Sequence, residues 1–175
     1  MDLTQLSCED FLSRLASKAP APGGGGAAAL VGAAGVALGN MVGNLTTGKK
    51  KYSAVEEEIL ALNARAETLC KRLEALVQAD ADAFTPLAAA YGLPRETPEQ
   101  QAHKAAVLAV SDAGCAALFC KAALQASALN VAINTKLMTD RAHAAVLDEK
   151  AARMLAEYLP LADEVYQSVA SRLRA

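Results

Sequence analysis

The sequence contains no tryptophan, only 4% aromatic residues, and two histidines, His103 and His143, that stand far apart. Its cysteines fall at 8, 70, 115 and 120, with no C-x-x-C pair. Zinc sites draw closely spaced Cys and His ligands, so no metal site is expected. Cys70, Cys115 and Cys120 sit in apolar helical patterns and read as buried free thiols, which suits a reducing cytosol. The formal net charge is −2 and the sequence pI about 5.7. Phosphate neutralisation needs a basic face, so nucleic acid is not an expected partner. Asp2, Glu9 and Asp10 precede any apolar run, unlike a signal peptide, and the expected location is cytoplasmic. No stretch alternates apolar and polar residues between turn signals, and no repeat of roughly 20–50 residues appears, which leaves strands and solenoids without support.

What the chain does have is alanine. Hydrophobic residues make up 53% of 175 positions, much of it Ala, a composition that favours closely packed helices over sheet. The expected fold is all-α, a single domain over 1–175, built as an antiparallel helical bundle around a central Gly/Ala-rich helix. Apolar spacing and breakers predict helices over 3–18, 25–45, 52–91 and 98–110, another from Ser111-Asp112 to Ile133, and a last one over 141–173. The segment Ala27–Leu45 is long enough to span a membrane. It is Gly/Ala-dominated and holds Asn40 and Asn44, so it reads as a buried core helix, and no membrane association is expected.

Much of the chain's organisation centres on Pro20–Tyr52, PAPGGGGAAALVGAAGVALGNMVGNLTTGKKKY. Gly23, Gly24, Gly25 and Gly26 cannot serve helix propensity, since each costs about 1 kcal/mol against Ala. They offer bare backbone that can lie against another surface or a ligand. Gly35, Gly39 and Gly43 recur at every fourth position and make a stripe against which another helix can pack. Lys49, Lys50 and Lys51 follow. They read either as a solvated turn or as point charges for an anionic ligand. A P-loop is excluded, because the lysines lie far past the glycines and no strand precedes them.

Asp80 is the most suggestive acid. It stands among alanines in LVQADADAF, where a carboxylate is partly desolvated and suited to proton transfer. Asp82 lies two residues on, so the two do not face each other; the bland reading is a pair of exposed helix acids. Ser111 and Asp112 read first as a helix cap and second as a site. Asn130 and Asn134 share a helix face, where paired amides either line a polar pocket or cross-link helices.

Taken in order, PAPGGGG with its Ala/Gly helix, LTTGKKKY, ADADAF, Leu93-Pro94 with Thr97-Pro98, SDAG and ALNVAIN resemble the cyclodeaminase domain of the formiminotransferase-cyclodeaminase family, over nearly the whole chain. The resemblance implies an all-helical, homodimeric folate enzyme. The family's type reaction turns 5-formiminotetrahydrofolate into 5,10-methenyltetrahydrofolate and ammonia, and some stand-alone members are labelled methenyltetrahydrofolate cyclohydrolases. It implies Asp80 as the catalytic acid-base. Substrate contacts are expected from the glycine loop, Gly23 to Gly26, from Lys49 to Lys51 at the glutamate tail of a folate, polyglutamylated forms included, and from Ser111, Asp112, Asn130 and Asn134. No cofactor beyond the tetrahydrofolate substrate is implied, and a separate formiminotransferase is an expected partner. Two departures stand out. The family often has a second acid where this chain has Gln78. It also usually carries another helix and loop where AAVLA here runs directly into VSDAG. The alternatives are a folate-binding protein without turnover and a purely structural oligomerisation bundle using the glycine stripe.

Overall fold

The computed structural model describes the backbone of residues 2–91 and 98–174 and the side chains of 2–84 and 110–174. Every α or 3-10 element among them is helical and no strand occurs, so the chain is all-α. Two compact units, 1–94 and 95–175, are described in turn.

The first unit opens with a 3-10 turn at Leu3–Gln5, capped by Asp2, whose Oδ1 accepts from the Thr4 amide at 2.9 Å. Helix α1 follows at Cys8–Leu15. The expected helix over 3–18 is thus divided, because Ser7 starts a new one. The Ser7 hydroxyl accepts from the Asp10 amide at 3.0 Å and donates to its carboxylate at 2.6 Å, satisfying a first-turn donor that no helical carbonyl reaches. After α1, Arg14 Nε donates to the Ala21 carbonyl at 2.9 Å, just before the cis Ala21–Pro22 peptide. Leu3, Phe11, Ala21, Ala29, Val77 and Ala81 close into one buried core.

Helix α2, Gly24–Thr46, lies along α3, Glu56–Tyr91. Gly48, at φ 76°, provides the left-handed turn after α2, and its amide donates to Glu56 Oε1 at 2.8 Å. A 3-10 stretch at Lys50–Val55 then leads into Glu56, Glu57 and Glu58, acids that suit the positive end of α3. The close approach of α2 to α3 depends on Gly43. A Cβ there would lie 2.8 Å from Asn63 Cγ, whereas the bare backbone lets Asn63 pack in at 8% exposure and donate to Asn44 Oδ1 at 2.9 Å.

The expectation of a buried core helix is corrected here. Only Gly26, Ala27, Ala29 and Ala33 of α2 are buried. Its opposite side exposes Val31, Leu38, Val42 and Leu45, because α3 covers one face alone. Of the expected glycine stripe, Gly43 meets α3, while Gly35 and Gly39 have no non-local atom within 4 Å of where a Cβ would sit. By length and composition α2 and the stretch Val110–Leu137 would each reach across a bilayer.

The second unit is a hairpin of α4, Pro98–Leu137, and α5, Arg141–Arg174. Pro98 opens α4, as its fixed φ favours; Gly92, Pro94 and Thr97, expected around the break, lie outside the described residues. Ser111-Asp112 does not cap a helix. Both lie inside the continuous α4, where flanking alanines carry the helix through them. Gly114 permits close contact with α5: a Cβ there would lie 2.9 Å from Val169 Cγ1. Thr139-Asp140 punctuates the turn as expected, with Asp140 Oδ1 accepting from the His143 amide at 2.9 Å. Thr135, 2% exposed, donates its hydroxyl to Asp148 Oδ1 at 2.6 Å, and its carbonyl accepts from Arg141 at 2.7 Å. The cysteines are free, but Cys120 is exposed and Cys70 and Cys115 are only half-buried, since each lies on a partly covered helix side. Burial, with Asp112 beside it, pushes the Cys115 thiol up.

Candidate active site

A helix that begins with glycine lacks a side chain to cap it. Gly23 occupies the N-cap position of α2 and supplies none. The acceptor comes instead from α3. Asp80 Oδ2 accepts from the Gly26 amide, the third residue of α2, at 2.9 Å. This is the bond that a Ser or Asp at the N-cap would make locally, supplied from 54 residues away. The positive end of the helix also favours a negative charge there. Val77 and Ala81, both buried, pack on either side of Asp80 along α3, and the carboxylate itself is half-buried.

The glycines are what let the carboxylate in. A Cβ on Gly25 would lie 2.8 Å from Asp80 Cγ, inside contact distance. One on Gly26 would lie 3.4 Å from the Val77 carbonyl and 3.5 Å from Asp80 Oδ2. Gly25 remains exposed, so solvent reaches the bare backbone next to the acid. The result is a fixed carboxylate beside a stretch of main chain without side chains, a place where a flat ligand can lie close to an anionic oxygen.

Gln78, one turn before Asp82, is held at both ends of its amide. Its Oε1 accepts from the Leu3 amide at 2.7 Å, and its Nε2 donates to Asp82 Oδ1 at 2.7 Å. It ties the N-terminal turn to α3. Asp82 is exposed and faces away from Asp80, as their spacing requires.

The structure thus brings Asp80 together with Gly25 and Gly26, with Gly23 and Gly24 beside them. Of the other candidates, three stand at the far end of α2 and four belong to the second unit. Lys49, Lys50 and Lys51 are exposed at the far end of α2, about 33 Å along its axis from Gly24. Lys51 sits over the Tyr52 ring at 5.2 Å. Ser111, Asp112, Asn130 and Asn134 belong to α4 in the second unit, and all four are exposed. Asn130 donates to the Ala126 carbonyl at 2.9 Å and Asn134 to the Asn130 carbonyl at 2.7 Å, so these donors serve their own helix. Sequence reasoning missed the capping role of Asp80 and the double anchorage of Gln78. The available signal for the first was a helix start with four glycines and no capping side chain.

A sequence model of the formiminotransferase-cyclodeaminase family matches residues 7–109 and 102–153. The chain belongs to that family. It is 37% identical to a methenyltetrahydrofolate cyclohydrolase of Methylorubrum extorquens, with 94% of this chain and 96% of the relative aligned. It is also 30% identical to a formimidoyltransferase-cyclodeaminase of Sus scrofa over 84% of this chain and 34% of that protein. The corresponding Mus musculus protein is 35% identical over 61% of this chain and 20% of its own length. The chain therefore spans about a third or less of these two-function relatives. The alignment with the cyclohydrolase runs over 200 positions, more than the 175 residues here, so part of that relative has no counterpart in this chain. The family match restarts at 102, upstream of Ser111, where the departure from the family pattern is expected.

Proposed function

We propose that this chain is a folate one-carbon enzyme acting at the carbon that joins N5 and N10 of 5,10-methenyltetrahydrofolate. The observation that carries the reading is the Asp80 carboxylate, fixed by Gly26 against the bare glycine backbone. The relative aligned almost end to end is named a methenyltetrahydrofolate cyclohydrolase, which favours hydrolysis as the reaction. In it, water adds to the methenyl carbon and one of its C–N bonds opens to leave a formyl group. Asp80 accepts the proton from the attacking water and returns one to the departing nitrogen. While ionised it stabilises the positive charge spread over the N–C–N unit. The glycine loop lets the flat ring system approach within contact distance.

A second reading has support from the formimidoyltransferase-cyclodeaminase relatives. N10 attacks the formimino carbon of 5-formiminotetrahydrofolate, ammonia leaves, and the same methenyl carbon forms. The same carboxylate takes the N10 proton and protonates the leaving nitrogen.

One pair of assays separates the readings. Purified protein is mixed with 5,10-methenyltetrahydrofolate, then with the 5-formimino compound, while methenyl absorbance and ammonia are followed. Catalysed loss of the methenyl band is expected for hydrolysis. Its gain with equal ammonia indicates cyclodeamination. Folate-dependent thermal stabilisation with neither change indicates binding alone, and no response of any kind sinks the proposal.

A further inference from the structure

Glycines in a row form main chain that no side chain of their own can pin. Ahead of Gly23 stand Pro20 and Pro22, which have no amide hydrogen to donate. Whatever fixes this stretch must therefore grip its carbonyls or the amides beyond it. The structure does both. Upstream, Arg14 Nε donates to the Ala21 carbonyl at 2.9 Å. Downstream, Asp80 Oδ2 accepts from the Gly26 amide at 2.9 Å. Two ionisable side chains of opposite sign thus bracket Gly23, Gly24 and Gly25, one from α1 and one from α3.

The Arg14 end is well supported. Arg14 lies in the last turn of α1 and is half-buried. The connector that follows is tied back to the same residue. The Ser17 amide and hydroxyl donate to the Arg14 carbonyl at 3.1 and 2.7 Å, and the Ala19 amide donates to the Ser17 hydroxyl at 3.0 Å. Ala21 is 5% exposed and belongs to the core formed with Phe11, Val77 and Ala81. A carbonyl at such a position is costly to leave without a donor, and a guanidinium supplies a charge-assisted one. Val77 and Ala81 flank Asp80 in sequence, so the anchored residue shares a core with the turn of α3 that carries the carboxylate.

We infer that Arg14 is a positioning residue for the reaction proposed above. Through the Ala21 carbonyl it sets where the bare edge of residues 23–25 lies relative to Asp80. Its catalytic consequence rests on the folate reading; the anchor itself does not. With the Gly26 bond alone, the loop would be pinned at one end and the glycines upstream would be free to move. Substrate laid on that edge would lose its register with the carboxylate, and a misplacement of about 1 Å costs up to about 10²-fold.

The test uses the atom at the Nε position. Gln carries a donor nitrogen at the place along the side chain where Arg carries Nε, whereas Lys carries a carbon there and keeps the positive charge. Arg14→Lys is expected to raise KM for 5,10-methenyltetrahydrofolate about tenfold, and Arg14→Gln to recover most of that loss. A partly unfolded preparation lowers kcat alone, so the rise in KM marks a displaced loop. An unchanged KM in Arg14→Lys, or a better KM there than in Arg14→Gln, overturns the inference. Hydrogen exchange without folate reads the loop directly. Amides of residues 24–27 should exchange faster in Arg14→Lys than in the parent, while those of residues 60–75 in α3 stay unchanged. Acceleration throughout the first unit would make Arg14 a residue of general stability, and no acceleration at the glycines would show that it does not hold them; either result overturns the inference. A parent that turns over neither folate would sink the folate reading, and the exchange would still decide the anchor.

Discussion

Asp80 Oδ2 and the Gly26 amide, 2.9 Å apart, join the middle of α3 to the first turn of α2. One carboxylate therefore caps a helix and stands at the candidate reaction centre. The two roles separate by substitution. Asp80→Asn keeps an oxygen that can accept from Gly26, so stability should change little while turnover falls by about 10²-fold or more, the typical worth of a positioned acid-base. Asp80→Ala also removes the cap, at about 1 kcal/mol. Thermal melts beside methenyl-folate assays check both. Equal turnover in Asp80→Asn and the parent would leave the residue a cap alone.

Gly25→Ala should be destabilising, against the usual gain from replacing helical glycine. The added Cβ would lie 2.8 Å from Asp80 Cγ, so the carboxylate must be displaced. Overpacking of this kind costs about 1–3 kcal/mol. Gly39→Ala meets no non-local atom within 4 Å and should gain up to about 1 kcal/mol. Denaturant melts of the two variants should therefore move in opposite directions.

Gln78→Glu tests why this chain lacks an acid at that position. A carboxylate can still accept from the Leu3 amide, but it can no longer donate to Asp82 and faces it as a like charge one turn away. The expected cost is about 0.5–1 kcal/mol near neutral pH. It should shrink as the pH falls into the carboxylate range, about pH 4, where protonation removes the repulsion. A constant gap in melting temperature across that range would contradict the account.

The elements with strong local signals were legible in the sequence. Helix α2 was expected over 25–45 and runs Gly24–Thr46, because Pro22 and Gly48 bracket it. Asp140 and Pro98 mark their boundaries for the same local reason. Ser111-Asp112 misled because cap-favouring residues are also tolerated inside a helix when their neighbours are good helix formers. Apolar content alone suggested that α2 was buried, but composition cannot say which surface, or whose, covers a helix. Asp80 stood out through its alanine surroundings. Its bond to Gly26 was illegible, since a contact across 54 residues leaves no local pattern.

The Thr135 clasp bears on how the second unit assembles. Thr135, Arg141 and Asp148 meet across a separation of at most 13 residues, so closing them loses little chain entropy. Contacts so near in sequence form early and cheaply in time, ahead of pairings that span tens of residues. The turn between α4 and α5 is thereby a natural starting point from which the hairpin can zip toward its open end, and its amides should be among the last in that hairpin to exchange with solvent.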